Sequence, residues 1–226
     1  MGDSHLVSQI PHGWKDFFVQ IAAIAIGLLL ALGLDRVVGY FHNQQQLTEA
    51  RRELRLELGE NRDVWNRNSA EVQRIEKELK TDFEVIQELQ SHSPTTAKLD
   101  YSVGFYAVKD GPWQAVRQNG SLNLMPNDEL QDYTWFHGIL SYTMEAMHAF
   151  EPVMTTSAAI ASRAPLEKLT DRDLGELASK TSEAQGRLAH LSMFLSYERN
   201  GLDRMSHSAS TVSPSPNSTL SSNPAT

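Results

Sequence analysis

The residues best spaced for chemistry are Glu145 and His148, in the run Glu145-Ala146-Met147-His148. A carboxylate and an imidazole three residues apart share one helix face, and Glu-x-x-His is the spacing that supplies ligands in di-iron helical bundles. Such a centre also needs a second Glu-x-x-His and two more inward glutamates, and the sequence contains no second copy. His137 falls on the same face about three turns earlier, too far away to ligate the same ion. Ordinary packing or a surface position is therefore the favoured reading over a metal site, and neither a metal nor a cofactor is expected.

A second candidate lies in GPWQAVRQNGSLNLMPNDEL, where Trp113 and Arg117 are four apart on one helical turn. A guanidinium there can lie over the indole and frame a ligand pocket or a partner-docking face. The competing reading is a helix–turn–helix corner in which Trp113 and Val116 are core and Asn119-Gly120 make the turn. Other enzyme signatures are missing: there is no Gly-rich phosphate loop, no Gly-x-Ser-x-Gly elbow and no HExxH. The absence of cysteine removes thiolate metal sites, thiol nucleophiles and disulfides together. A net charge of −8 opposes binding to phosphate backbones, so nucleic acid is not an expected partner.

The elements that would position these residues begin with an apolar run, FFVQIAAIAIGLLLALGL, from Phe17 to Leu34. Eighteen helical residues span about 27 Å, close to the thickness of a bilayer's hydrocarbon core. Trp14 precedes the run and Tyr40 and Phe41 come after it, as interfacial aromatics do. A transmembrane helix over residues 13–41, with its core at 17–34, is the expectation. The alternatives are a cleaved signal peptide, for which Ala31 and Gly33 offer a small-x-small site, and a buried core helix. The basic residues Arg36, Arg51, Arg52 and Arg55 favour a cytoplasmic C-terminal side. Neighbouring acids and the length of the C-terminal part of the chain leave sidedness open. Ala23, Gly27 and Ala31 repeat every four residues on one face and would let two copies pack as a homodimer in the membrane.

Beyond the span, Leu47, Ala50, Leu54, Leu58, Val72, Ile75, Leu79, Phe83 and Ile86 recur at helical steps, predicting a stalk helix over 42–92. Asn61, Arg62, Asn66, Arg67 and Asn68 interrupt its stripe, which reads as local solvation or bending. LDYSVGFYAV has strand-like composition but no partner strand, so it is expected to be helical or irregular. Further helices are expected from Pro112, from Pro126 to about Arg163 with an interruption at Pro152, and from a Thr170–Asp173 capping box to about Arg204. The polar residues 1–12 and the Ser/Thr/Pro-rich 206–226 are expected to be disordered. The predicted fold is all-α: a transmembrane helix, a stalk, and an antiparallel helical bundle over 93–205.

WKDFFVQIAAIAIGLLLALGLDR followed by HNQQQLTEARRELRLELGENR resembles the start of a group of uncharacterised bacterial single-span membrane proteins with an N-terminal anchor and a helical domain. The likeness includes a glutamate–x–x–x–asparagine pattern, here Glu57 to Asn61, and a later Trp–Gly–Leu corner, here Trp113 to Leu124. It covers about half the chain and implies a bacterial inner membrane but no activity. The resulting expectation is a non-enzymatic, membrane-tethered interaction or scaffold protein with an unidentified protein partner. The alternative is a bundle sensor that binds a small molecule or metal around Trp113, Arg117, Glu145 and His148.

Overall fold

A computed structural model describes residues 13–93, 95 and 97–211. The expectations of disorder for residues 1–12 and 212–226 lie outside them. Four α-helices are described: α1 (Gly13–Gln90), α2 (Gly111–Gln118), α3 (Asn127–Ala161) and α4 (Asp171–Thr211). Short 3₁₀ turns at Ser121–Leu124 and Leu166–Lys168 complete the described elements. The chain divides into two units, Met1–Glu49 and Ala50–Thr226.

In the first unit, α1 carries an 18-residue window of mean hydropathy 2.5, none of it buried. It is long and apolar enough to cross a membrane. Trp14, Phe17 and Phe18 cluster at one end, and Tyr40 lies edge-on to Phe41 at the other. Ala23, Gly27 and Ala31 are all exposed, and a Cβ added at Gly27 would meet nothing within 4 Å.

The second unit is built around the stripe read from the sequence. Ala50, Leu54, Val72, Ile75, Leu79 and Ile86 are buried, while Leu58 and Phe83 are half-buried. Most of the stalk is therefore a core helix of the bundle, packed against the later helices. Cross-links fix the helix directions. Arg62 reaches Leu202 O and Asp203, Trp65 Nε1 donates to Leu195 O at 2.7 Å, and Gln185 reaches Leu79 O, so α1 and α4 run antiparallel. Arg51 binds Glu129 and Glu57 faces His137, so α1 and α3 run parallel. Helices α3 and α4 form an antiparallel hairpin: Arg204 meets Asp132, and Tyr142 stacks on Phe194. Gly201 permits their close approach, because a Cβ there would sit 2.8 Å from Phe136 and 2.9 Å from Trp135.

Parallel α1 and α3 require a connection that travels back along the bundle. Residues 97–110 supply it as an extended strap with no secondary structure. A strap without a neighbouring strand has unpaired peptide groups, and α1 side chains pair them. Asn68 accepts the Tyr106 N–H at 2.8 Å and donates to Tyr106 O at 3.0 Å. Seven residues earlier, Asn61 does the same for Lys109, at 2.8 and 2.7 Å. Each carboxamide thus offers one acceptor and one donor, as a neighbouring strand would. Glu71 accepts the Gly104 N–H, Arg74 donates to Ser102 O, and Asp82 accepts the Asp100 N–H with both oxygens.

These contacts overturn one expectation. Asn61 and Asn68 are 0% and 1% exposed, so they do not mark a solvated break in α1; they are its attachment points for the strap. Three further boundaries differ. Pro152 does not interrupt α3: the helix runs through it with the proline on its exposed face, where the carbonyl of exposed His148 loses its N–H partner. Helix α3 stops at Ala161, and α4 continues past Arg204 to Thr211, into the segment read as disordered tail. The Thr170–Asp173 box forms as read: Asp173 N–H donates to Thr170 Oγ1, and Asp173 Oδ2 accepts from Thr170 N–H.

Asn68→Ala leaves both polar groups of Tyr106 without their partner and is expected to lower bundle stability by about 2–4 kcal/mol. Exposed Asn66→Ala is expected to change it by less than about 0.5 kcal/mol. Denaturant unfolding of the full chain in detergent micelles reads the difference, and equal losses at the two positions would contradict the strap's dependence on Asn68.

Candidate functional site

The four candidate ligand residues do not converge. Trp113 and Val116 are buried, as in the helix–turn–helix reading, while Arg117 is exposed. The face of Trp113 is covered by His137, parallel to within 5° at a centroid distance of 4.3 Å, and not by Arg117. Glu145 and His148 lie on the solvent side of α3, eight and eleven residues beyond His137, or about 12 and 16 Å along the helix. Among the described residues, no group of three or more His, Asp or Glu side chains is arranged to hold a metal ion. The turn at Asn119-Gly120 forms as read, with Gly120 in the left-handed region at φ 78°.

The structure assembles a different cluster, where α1, α2 and α3 meet. Glu57 Oε2 accepts the Trp113 N–H at 2.7 Å, which secures the first turn of α2. Glu57 Oε1 lies 3.1 Å from His137 Nε2, but the two are not aligned for a hydrogen bond and neither atom has a hydrogen-bond partner. Glu57 and His137 side chains are 0% and 5% exposed. Burial pushes the Glu57 carboxyl up to about 7, and the nearby Asp110 and Glu60 carboxylates add to the rise. Burial pushes the His137 imidazole down to about 4. Both groups are thereby driven toward their neutral forms.

Two further carboxylates are buried without a cation partner among the described residues. Asp82, 0% exposed, is pushed up to about 7 by burial, against the lowering effect of the Asp100 N–H. Glu198, 1% exposed, is pushed up to about 7 by burial, with the Thr143 hydroxyl pulling the other way. That hydroxyl's own hydrogen goes to Ile139 O at 3.1 Å, and Glu198 Oε2 meets no partner. Such groups can hold protons inside the bundle. A cleft of about 440 Å³ between α1 and α4 is lined by Val72, Glu76, Lys80, Gln185, Leu188 and Ser192, and not by these carboxylates.

The sequence offered a sign of the cluster. Glu57 and Asn61 occupy helical steps on the face that also carries Leu54 and Leu58, so their polarity stands in the apolar stripe. His137 gave none, because its partner lies eighty residues away in sequence. The bundle also exposes aromatic surface on the outer side of the α3–α4 hairpin. Tyr142, Tyr197 and Trp135 are 54%, 43% and 39% exposed, and Tyr142 and Tyr197 both pack against Phe194. Arg204 lies 4.8 Å over Trp135.

The raised carboxyls set a pH dependence. A carboxyl with an ordinary value of 4.5 when unfolded and about 7 when folded favours the fold while protonated. That contribution is complete below about 4.5 and is lost as pH rises through about 7. Glu198→Gln keeps a neutral, similarly shaped side chain. It is expected to flatten the fall in bundle stability between pH values of about 5 and 8, recovering an amount of the order of 2–3 kcal/mol at the upper end. Unfolding curves across that range check it, and a wild-type slope in the variant would contradict it. Comparison with protein-family models, with curated protein sequences and with solved structures finds no match for this chain.

Proposed function

We propose that this chain is a single-span membrane protein whose helical bundle is a non-enzymatic interaction or scaffold module. The observation that carries the reading is the wholly exposed apolar window of α1, of mean hydropathy 2.5. In water an unburied stretch of this length carries a large hydration cost, which lipid removes. The flanking aromatics support the same reading, and the resemblance to bacterial single-span proteins favours a bacterial inner membrane. A soluble core helix is disfavoured because no part of the window is buried among the described residues. A cleaved leader is disfavoured by a helix that runs without a break through Ala31 and Gly33 to Gln90.

For the bundle, the buried ionisable groups are engaged in holding the fold, and the candidate ligand residues stand apart. This disfavours the small-molecule or metal sensor. The exposed Trp135, Tyr142, Met193 and Tyr197 are of the types enriched at protein interfaces, and a protein partner is the occupant proposed for that face. The small-residue face at Ala23, Gly27 and Ala31 fits a homodimer through the span.

The chain is expected to stay with membranes through an alkaline carbonate wash and to leave them only in detergent. Recovery in the supernatant without surfactant, or a mature chain beginning near residue 34, would contradict the anchor. After crosslinking in cells, the wild-type chain should capture a protein that Tyr142→Glu with Tyr197→Glu does not. Capture no better than by a chain with a scrambled bundle would refute the interaction reading, and equal capture by the double variant would refute this face.

A further inference from the structure

The segment LDYSVGFYAV, Leu99 to Val108, has the composition of a strand, yet no strand lies among the described residues to pair with it. Its backbone nevertheless keeps a strand's alternation. Along one edge, Asp100 N–H, Ser102 O, Gly104 N–H and both groups of Tyr106 meet α1 side chains. The side chains alternate as well: Tyr101 is buried, Val103 and Phe105 are half-buried, and Ser102, Gly104 and Tyr106 are exposed. In extended backbone the N–H and C=O groups of successive residues point to opposite edges. Those of Val103, Phe105 and Ala107 therefore point away from α1, and among the described residues none of them has a hydrogen-bond partner.

We propose that this outer edge, at Val103, Phe105 and Ala107, is a strand-addition site that takes an extended, proline-free segment of a protein partner. Its donors and acceptors repeat about every 6.6 Å, two residues of extended chain. Another extended backbone carries the complementary groups at that spacing. An α-helix does not, because its backbone groups bond within the helix. The alternation also sets the partner's side chains. Leu99, Val103 and Phe105 pack on the core yet stay half-buried, so the partner residues that face the bundle are apolar and cover what they leave open.

Edges that must stay unpaired are ordinarily blunted by charge or proline. From Tyr101 to Val108 the strap has neither; the nearest charges stand outside that stretch, at Asp100 and Lys109. Between the strap's start and the end of α3, a cleft of about 390 Å³ is lined by Lys98, Leu99, Ala161, Leu166 and Glu167, so the side away from α1 is open there. The edge is also preorganised. Glu71 and Asn68 hold Gly104 and Tyr106 whether or not the outer groups are paired, so a partner strand does not have to order the strap as it binds. This extends the interaction reading to a second surface. The Tyr142 and Tyr197 variants leave the edge unchanged, so the two surfaces succeed or fail separately.

Residue-resolved amide exchange of the full chain in detergent micelles tests the site, with a synthetic peptide copying residues 99–108 as the probe strand. Saturating peptide is expected to raise protection at Val103, Phe105 and Ala107 by about tenfold or more, and to leave Gly104 and Tyr106 as they were. The same peptide N-methylated at successive residues keeps its side chains but cannot pair, and should raise nothing. Val103→Pro with Ala107→Pro removes two outward N–H groups at positions where an edge tolerates proline. That chain should keep its protection at Gly104 and Tyr106, which reports an intact strap, and show no response to peptide at Phe105. The proposal is overturned if the unmodified peptide protects none of the three outer amides, or if the N-methylated peptide protects them equally. It is also overturned if they are already protected in the chain alone, which would mean that residues 1–12, residues 212–226 or a second copy fill the edge.

Discussion

A peptide segment that is extended but pairs with no strand must find partners for its N–H and C=O groups elsewhere. Here they come from the side chains of one helix. Asn61 and Asn68 each bind both polar groups of a single strap residue, and Glu71, Arg74 and Asp82 extend the ladder toward the far end of α1. The ladder makes the topology feasible: α1 and α3 can run parallel because the chain between them returns along α1 without a sheet. The same helix face also supplies Val72, Ile75, Leu79 and Ile86 to the core that α3 and α4 share. Polar pairing and apolar packing alternate along one helix, so neither the strap nor the core can shift register without disturbing the other.

The ladder has a consequence for charge. The acids at its two ends, Glu57 and Asp82, are buried to hold peptide N–H groups and have no arginine or lysine among the described residues to offset that burial. Both are driven toward the protonated form near neutrality, as is Glu198 between α3 and α4. Partly exposed acids behave in the opposite way. Glu71 and Asp173 are held below the usual carboxylate range, chiefly by hydrogen bonds from Arg74 and Thr170 respectively. The carboxyls raised toward neutrality all lie in the interior, and two of them hold N–H groups of the strap and corner.

The helices were legible in the sequence because their cues are local. Heptad-like apolar steps marked the buried face of α1, Pro112 and Gly120 bounded α2, and the Thr170–Asp173 box opened α4. The long apolar run was legible from length and composition alone. The polar ladder was not. In a linear reading, Asn61 and Asn68 look like breaks in a stripe, since carboxamides ordinarily favour water or a helix end. Their partners lie 48 and 38 residues away, in a segment whose strand-like composition suggested a different use. The Glu57 to Asn61 pattern stood out only as a likeness, and its role appears once Lys109 and Trp113 are placed against it. Glu145 and His148 share a helix face, as their spacing indicates, and that face points to solvent.

The central claim is that individual side chains, and not a strand, hold the strap. Residue-resolved amide exchange on the full chain in micelles at neutral pH tests it most directly. Protection should be punctuated, strong at Gly104, Tyr106 and Lys109, whose N–H groups meet Glu71, Asn68 and Asn61, and weak at Ala107 and Val108. Uniform protection across the strap, or its absence at Tyr106 and Lys109, would contradict the account.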